Sequence, residues 1–185
     1  MKNLKAISII FMLFLFTNNL QAQKFYTENG ITTFDGSKAA FEPIKAVNDK
    51  TISIIDVETA EIAAVIYIEK FQFRLGLMQE HFNENYLESD IYPRSTFQGK
   101  IKNFDLNELN QDYSDYEIIG ELIIKGVKNE IKANAEISKS KGKIFIKSKF
   151  SIMLSDYGVK IPKIVFKKID EEVKINLNFV YEKKI

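Results

Sequence analysis

Residues 131–138 alternate apolar and polar side chains without a break: Ile131, Ala133, Ala135 and Ile137 are interleaved with Lys132, Asn134, Glu136 and Ser138. Successive strand residues point to opposite faces, whereas a helical face recurs every three or four residues. The stretch is therefore a strand with one buried and one solvated face. Ile144, Ile146, Phe150, Ile152 and Leu154 repeat the pattern against Lys143, Lys147, Lys149 and Ser151, and Val173, Ile175, Leu177, Phe179 and Tyr181 repeat it near the C-terminus. Residues 62–69, 71–77 and 116–125 read as strands apolar on both faces. Weaker strands are expected at 25–27 with 31–34, at 51–57 and at 96–104.

About eight or nine strands result, and the links between the later ones are short. Lys125-Gly126-Val127-Lys128 and the run from Ser138 to Gly142 are glycine-containing turns of the hairpin kind. Parallel pairing would need a crossover of a dozen residues or more, so consecutive strands are antiparallel. One segment has helical spacing: over residues 77–86, Met78 and Phe82 stand four apart between Leu77 and Tyr86. Pro93 holds the residue before it extended and ends that region. The fold class is all-β with one short helix, and periodicity alone admits either a sandwich or a barrel.

The N-terminus carries Lys2 and Lys5, then an apolar run from Ala6 to Phe16, polar Thr17, Asn18 and Asn19, and Leu20-Gln21-Ala22. That run is too short for a membrane-spanning helix and has the layout of a cleaved export signal. Residues 1–22 are read as signal and 23–185 as one domain, periplasmic or secreted. No later apolar run is long enough to cross a bilayer. The chain contains no cysteine, so its stability must come from an apolar core instead of disulfides. Without the two signal lysines the net charge is −1, which gives no electrostatic basis for binding nucleic acid.

Catalytic material is sparse. His81 is the sole histidine, and with no cysteine it is poor material for a zinc site. Met78 and His81 lie on one side of a helix and cannot ligate opposite faces of a haem. No Gly-x-Ser-x-Gly turn exposes a serine nucleophile. Glu171 with Glu172, and Asp112 with Asp115, sit in polar stretches as solvated turn residues. His81 is expected to pack or hydrogen-bond locally, and no cofactor, metal or enzymatic step is expected. Two lysine groups, Lys139/Lys141/Lys143/Lys147/Lys149 and Lys160/Lys163/Lys167/Lys168, read as solvated charges that discourage edge pairing, or as counter-charges for a phosphate head group or an anionic surface.

Three motifs carry a resemblance. Leu77-Met78-Gln79-Glu80-His81-Phe82, continuing to Tyr92-Pro93-Arg94-Ser95-Thr96-Phe97, resembles the helix-to-strand segment of the YceI-like family. Gly120-Glu121-Leu122-Ile123-Ile124-Lys125-Gly126-Val127 is similar to that family's hairpin, and Ser155-Asp156-Tyr157-Gly158-Val159 to its Asp-Phe-Gly-(Ile/Val) element. A basic residue that often precedes this last element is replaced by Ser155. The resemblance implies an eight-stranded antiparallel lipocalin-like barrel that holds a polyisoprenoid chain.

Strands of about ten residues at a rise of roughly 3.4 Å give an interior on the order of 30 Å long, a shape suited to an elongated apolar ligand such as an isoprenoid lipid or quinone. The residues expected to line it are Phe73, Leu77, Phe82, Ile131, Ala133, Ala135, Ile146, Phe150, Ile152, Ile175, Leu177 and Phe179. Ala133 and Ala135 either leave room for a ligand or pack against Phe150 or Phe179 in a filled core. The alternative function is a filled barrel that contacts a partner or membrane through its lysine-rich loops. The sequence leaves the oligomeric state open, a dimer included.

Overall fold

The structure is a computed structural model that describes residues 23–38, 41–163 and 167–184; the expected signal, residues 1–22, lies outside them. In chain order the elements are β1 (Lys24–Ser37), β2 (Lys45–Asp56), β3 (Glu61–Tyr67), a 3₁₀ turn (Ile68–Lys70), β4 (Gln72–Phe73), helix α1 (Gly76–His81) and a π-helical turn (Phe82–Tyr86). There follow β5 (Arg94–Ile101), β6 (Ser114–Ile124), β7 (Val127–Ser140), β8 (Lys143–Met153), a second 3₁₀ turn (Leu154–Tyr157) and β9 (Ile169–Lys183).

Eight strands pair antiparallel in the order β1-β9-β8-β7-β6-β5-β3-β2, and β1 pairs with β2 to close the ring. Closure removes the exposed edges that an open sheet would present. The tiny β4 adds to the rim of β2 through Ala46↔Phe73 and Val47↔Gln72. The β6–β7 and β7–β8 hairpins each turn on two residues of positive φ, Lys125 (50°) with Gly126 (76°), and Lys141 (50°) with Gly142 (75°). This is the backbone a tight hairpin matched to strand twist demands.

The inward faces of the last three strands are those expected from their alternation. Ala133, Ala135, Ile137, Ile144, Ile146, Ile152, Val173, Phe179 and Tyr181 are buried. Elsewhere the structure departs from expectation. Residues 25–27 and 31–34 are not two strands but one, because irregular register on either side of Gly30 carries the strand across the break in its pattern. Gly30 is required there: a Cβ would lie 2.6 Å from the Phe179 ring.

Strand β2 starts six residues before the expected 51, through polar Asn48-Asp49-Lys50. Asn48 is fully buried but satisfied, since its Nδ2 donates to Tyr67 O at 3.0 Å and its Oδ1 accepts from Lys50 N at 2.8 Å. The strand expected over 71–77 shrinks to two residues. Among the described residues its pairing with β2 ends at Phe73, and Met78 N and Gln79 N turn back to Leu75 O to begin α1.

The two ends of the barrel differ. One is packed solid by Phe25, Ile55, Ile101, Ile137, Ile144 and Tyr181, with Leu109 from the loop at 102–113 buried among them and Phe104 and Leu106 against them. That loop is pinned where Lys139 N donates to Asn110 O at 2.7 Å. The strand expected to run through Phe104 ends at Ile101, which frees Phe104 to join this plug. At the other end Ile68, Leu87, Leu122, Ile152, Tyr157, Val159 and Val173 form a second cluster, beneath α1 and the two 3₁₀ turns.

Candidate functional site

Between the plug and the helix lies a cavity of about 470 Å³, within the roughly 300–1,000 Å³ typical of small-molecule sites. Its wall is built from alternate residues of the strands: Ile62, Ala64 and Ile66 of β3; Ser95 and Phe97 of β5; Ile118, Leu122 and Ile124 of β6; Ile131 and Ala133 of β7; Ile146, Phe150 and Ile152 of β8; and Ile175, Leu177 and Phe179 of β9. Leu75, Leu77, Met78, His81 and Phe82 border it at the helical end. Among the described residues it opens there and is blocked at the other end by the plug.

Of the residues expected to line the interior, Phe73, Leu77, Phe82, Ile131, Ala133, Ile146, Phe150, Ile152, Ile175, Leu177 and Phe179 all stand on this wall. Ala135 does not. One inward position beyond Ala133, it is buried with Ile137 and Ile146 in the plug cluster, although Ser148 and Ile146, opposite Ala135 and Ile137 on β8, still reach the wall. The strands β3, β5 and β6 supply residues absent from the expected set. In β3 and β6 they were concealed because those strands are apolar on both faces, and alternation cannot then say which face turns inward; β5 has polar Thr96, Gln98 and Lys100 on its outer face, but of its inward positions only Phe97 and Ile101 are large and apolar.

Four phenyl rings meet under the mouth. Phe34 stacks on Phe82 at 5.3 Å between centroids, and Phe71 and Phe73 approach Phe82 at 5.5 and 5.0 Å. Phe82 thus anchors the helical segment to β1 and β4, at distances where such pairs contribute about 0.5–1.5 kcal/mol each beyond area burial. The second motif meets the first here as well: the Tyr92 ring covers the Gly126 turn, so closely that a Cβ on Gly126 would lie 2.9 Å from it.

The few polar groups of the wall are mostly consumed within the protein. Ser53 Oγ donates to Ala63 O at 2.7 Å. The contact of 2.9 Å between Ser53 Oγ and Tyr181 OH must therefore use the tyrosine as donor, since serine has one proton to give. Burial pushes the Tyr181 phenol well above its ordinary range, with the Ser53 hydrogen bond offsetting part of the rise. Thr32 and Thr51 bond each other at 2.8 Å, and Ser148 Oγ donates to Asn134 O at 2.7 Å. Ser95 differs: it is buried on the cavity wall, and its hydroxyl hydrogen-bonds to no group among the described residues. Burial also raises Tyr86 and Tyr157 on the same wall, Tyr157 with help from the charge of Asp156.

Among the described wall residues no hydrogen bond or ion pair joins His81 to a serine, a tyrosine or a carboxylate. His81 is exposed at the mouth and, among the described residues, its imidazole makes no hydrogen bond, so of the local packing or hydrogen bond expected of it only its place on the cavity border remains. Among the described residues no group of three His, Asp or Glu side chains gathers as metal ligands, and no helix is long and apolar enough to cross a membrane.

The two lysine groups are at opposite ends. Lys139, Lys141 and Lys143 mark the β7–β8 hairpin beside the plug, where Lys143 pairs with Glu182 at 2.5 Å, and Lys147 lies 4.3 Å over the Tyr113 ring. Lys168 borders the mouth, so only the group from Lys160 to Lys168 can serve a head group there.

The profile of the YceI-like domain matches residues 19–181. No curated protein matches the chain. Among solved structures, a polyisoprenoid binding domain from Saccharophagus degradans implicated in plant cell wall breakdown is similar with a TM-score of 0.74 and 16% identity, over 88% of this chain and 99% of that one. BcnA of Burkholderia cenocepacia follows at 0.67 and 16%, over 81% and 95%. The YceI protein of Campylobacter jejuni gives 0.59 and 20%, over 78% and 87%. At these identities the likeness is one of fold.

Proposed function

The chain belongs to the YceI-like domain family, and from that membership and the form of its cavity we propose that it carries an elongated isoprenoid lipid, tail inward, without a chemical step. One observation carries the reading: an apolar void of about 470 Å³, closed at one end and open at the other, in a barrel whose size class otherwise fills with side chains. Burying hydrocarbon is worth about 0.8 kcal/mol per CH₂, so a few isoprene units offset an association cost of roughly 4 to 15 kcal/mol. Ordered polar anchors are not needed. The polyisoprenoid binding domain that shares this fold points to the same ligand class.

The head group, whether alcohol, phosphate or quinone, would remain at the mouth. There the unpartnered Ser95 hydroxyl, the His81 imidazole and the Lys168 ammonium are polar groups available to it. The reading includes export, with residues 1–22 as the signal and the barrel working in the periplasm or outside the cell. The alternative, a filled barrel acting through the Lys139–Lys143 hairpin, is disfavoured by the void itself and by the engagement of Lys143 with Glu182.

Organic extraction of protein purified from a membrane-containing host, followed by mass spectrometry, tests the reading. An isoprenoid lipid or quinone near one per chain is expected. Protein that is empty and also takes up no prenyl lipid when offered it would overturn the proposal.

A further inference from the structure

Two glycines meet on the inner face of the barrel. Gly99 of β5 and Gly120 of β6 are cross-strand partners, on the same face as Phe97 and Leu122 two residues away. Having no side chains, they leave a recess in the wall. The void reaches the edges of that recess: Ile62, the partner of Gly99 on β3, and Ile118, the next inward residue of β6, both line the cavity. The glycines themselves do not line it. The Phe97 ring fills the recess, its Cζ lying 2.6 Å from where a Cβ on Gly99 would stand and 2.7 Å from where one on Gly120 would.

Phe97 also links the two ends of the barrel. Alone among the partly buried apolar residues described, it packs against both the plug cluster and the cluster at the helical end. Its ring therefore lies at the depth where open void gives way to solid plug. Phe179, directly across the eight-strand ring, covers Gly30 in a comparable way but is held differently. It is only 3% exposed, belongs to the plug cluster and meets the Tyr181 ring edge-on at 6.1 Å. Phe97 is half-buried on the cavity wall and engages no aromatic ring among the described residues.

We propose that Phe97 sets the longest isoprenoid tail the cavity accepts: by occupying the glycine recess, its ring takes the room of about one further isoprene unit at the inner end of the void. The inference deepens the lipid-carrying reading and rests on it. Its physical basis is matched size. Protein interiors are packed without voids as large as a ring, so ring and tail end compete for one space. A tail longer than the space left to it keeps hydrocarbon outside and forfeits the burial that drives binding.

Binding of prenyl alcohols of increasing length to the delipidated protein tests it, with thermal unfolding of each variant measured alongside. In Phe97→Ala the plateau in affinity should come about one isoprene unit later than in the wild type. The first alcohol past the wild-type plateau should bind the variant at least tenfold more tightly than it binds the wild type. Phe97→Leu, a milder change that keeps an apolar side chain but lacks the Cζ that reaches the recess, should shift the plateau in the same direction. Phe150→Ala removes an equal ring from β8, where Phe150 packs against the helical-end cluster alone. It should weaken binding of every length alike and leave the plateau in place.

A folded Phe97→Ala or Phe97→Leu protein whose plateau stays at the wild-type length overturns the proposal and leaves the lipid-carrying reading intact. An equal shift in Phe150→Ala also overturns it, because capacity would then follow total volume and not the glycine recess. If the wild type binds no prenyl alcohol of any length, the lipid-carrying reading itself falls, and the role of Phe97 with it.

Discussion

Ala133 and Ala135 share one strand and one face, two residues apart, yet Ala133 borders the void and Ala135 is packed in the plug. Placing phenylalanine at each therefore has opposite consequences. In Ala133→Phe the ring enters empty space, so the overpacking cost of typically 1–3 kcal/mol is avoided and the urea midpoint should stay close to wild type. The ring occupies about the room of one five-carbon isoprene unit. At about 0.8 kcal/mol per buried carbon this removes roughly 4 kcal/mol of tail burial, close to a thousandfold in Kd. In Ala135→Phe the ring meets close-packed Ile137 and Ile146, and stability should fall by about 3 kcal/mol or more while tail binding by the protein that remains folded is little changed. Urea unfolding and displacement of a fluorescent polyene lipid read the two effects separately. Equal destabilisation by both substitutions, or unweakened binding by Ala133→Phe, would refute the placement of the void.

Tyr181→Phe removes one buried hydrogen bond but leaves Ser53 donating to Ala63, so it should cost about 1 kcal/mol at neutral pH. Because the folded-state pKa of Tyr181 is raised, the phenol favours the fold fully below its unfolded pKa of about 10. That advantage declines above it, as the unfolded chain ionises first, by up to about 1.4 kcal/mol per pH unit. The stability curves of wild type and Tyr181→Phe should then meet near pH 11, which urea midpoints taken from pH 7 to 11 would reveal; a gap that stays constant would contradict the assignment. Gly99 and Gly120 face each other across β5 and β6 under the Phe97 ring, and a Cβ on Gly120 would lie 2.3 Å from Gln98 O. Gly120→Ala should therefore lower stability by about 3 kcal/mol or more in thermal unfolding, and a neutral outcome would mean that the strands are not in this close contact.

Much of the barrel was legible because its C-terminal strands pack one face on apolar neighbours and show the other to water. That environment writes a period of two into 131–138 and 173–181. The N-terminal strands were blurred for separable reasons. Gly30 interrupts the alternation of β1 for the sake of the Phe179 ring. Asn48 puts a polar residue in a buried position that backbone partners satisfy. In β3 and β6 apolar residues occupy the outer face too. The plug was hidden because Phe104, Leu106 and Leu109 lie in a loop with no period. The extent of the cavity could not be read at all: alternation specifies which face a residue takes but not how deep in the barrel it sits, so Ala133 and Ala135 look identical in sequence.

The central claim, that the void between plug and helix holds an isoprenoid tail, is tested most directly by measuring Kd across prenyl alcohols of increasing length. Affinity should rise with each added isoprene unit, by at most about 4 kcal/mol per unit, until the tail reaches the plug, and then level off; in Ala133→Phe the plateau should arrive at a shorter chain. Affinity that is independent of length, or that climbs without a plateau, would contradict a tail housed in a blind apolar cavity.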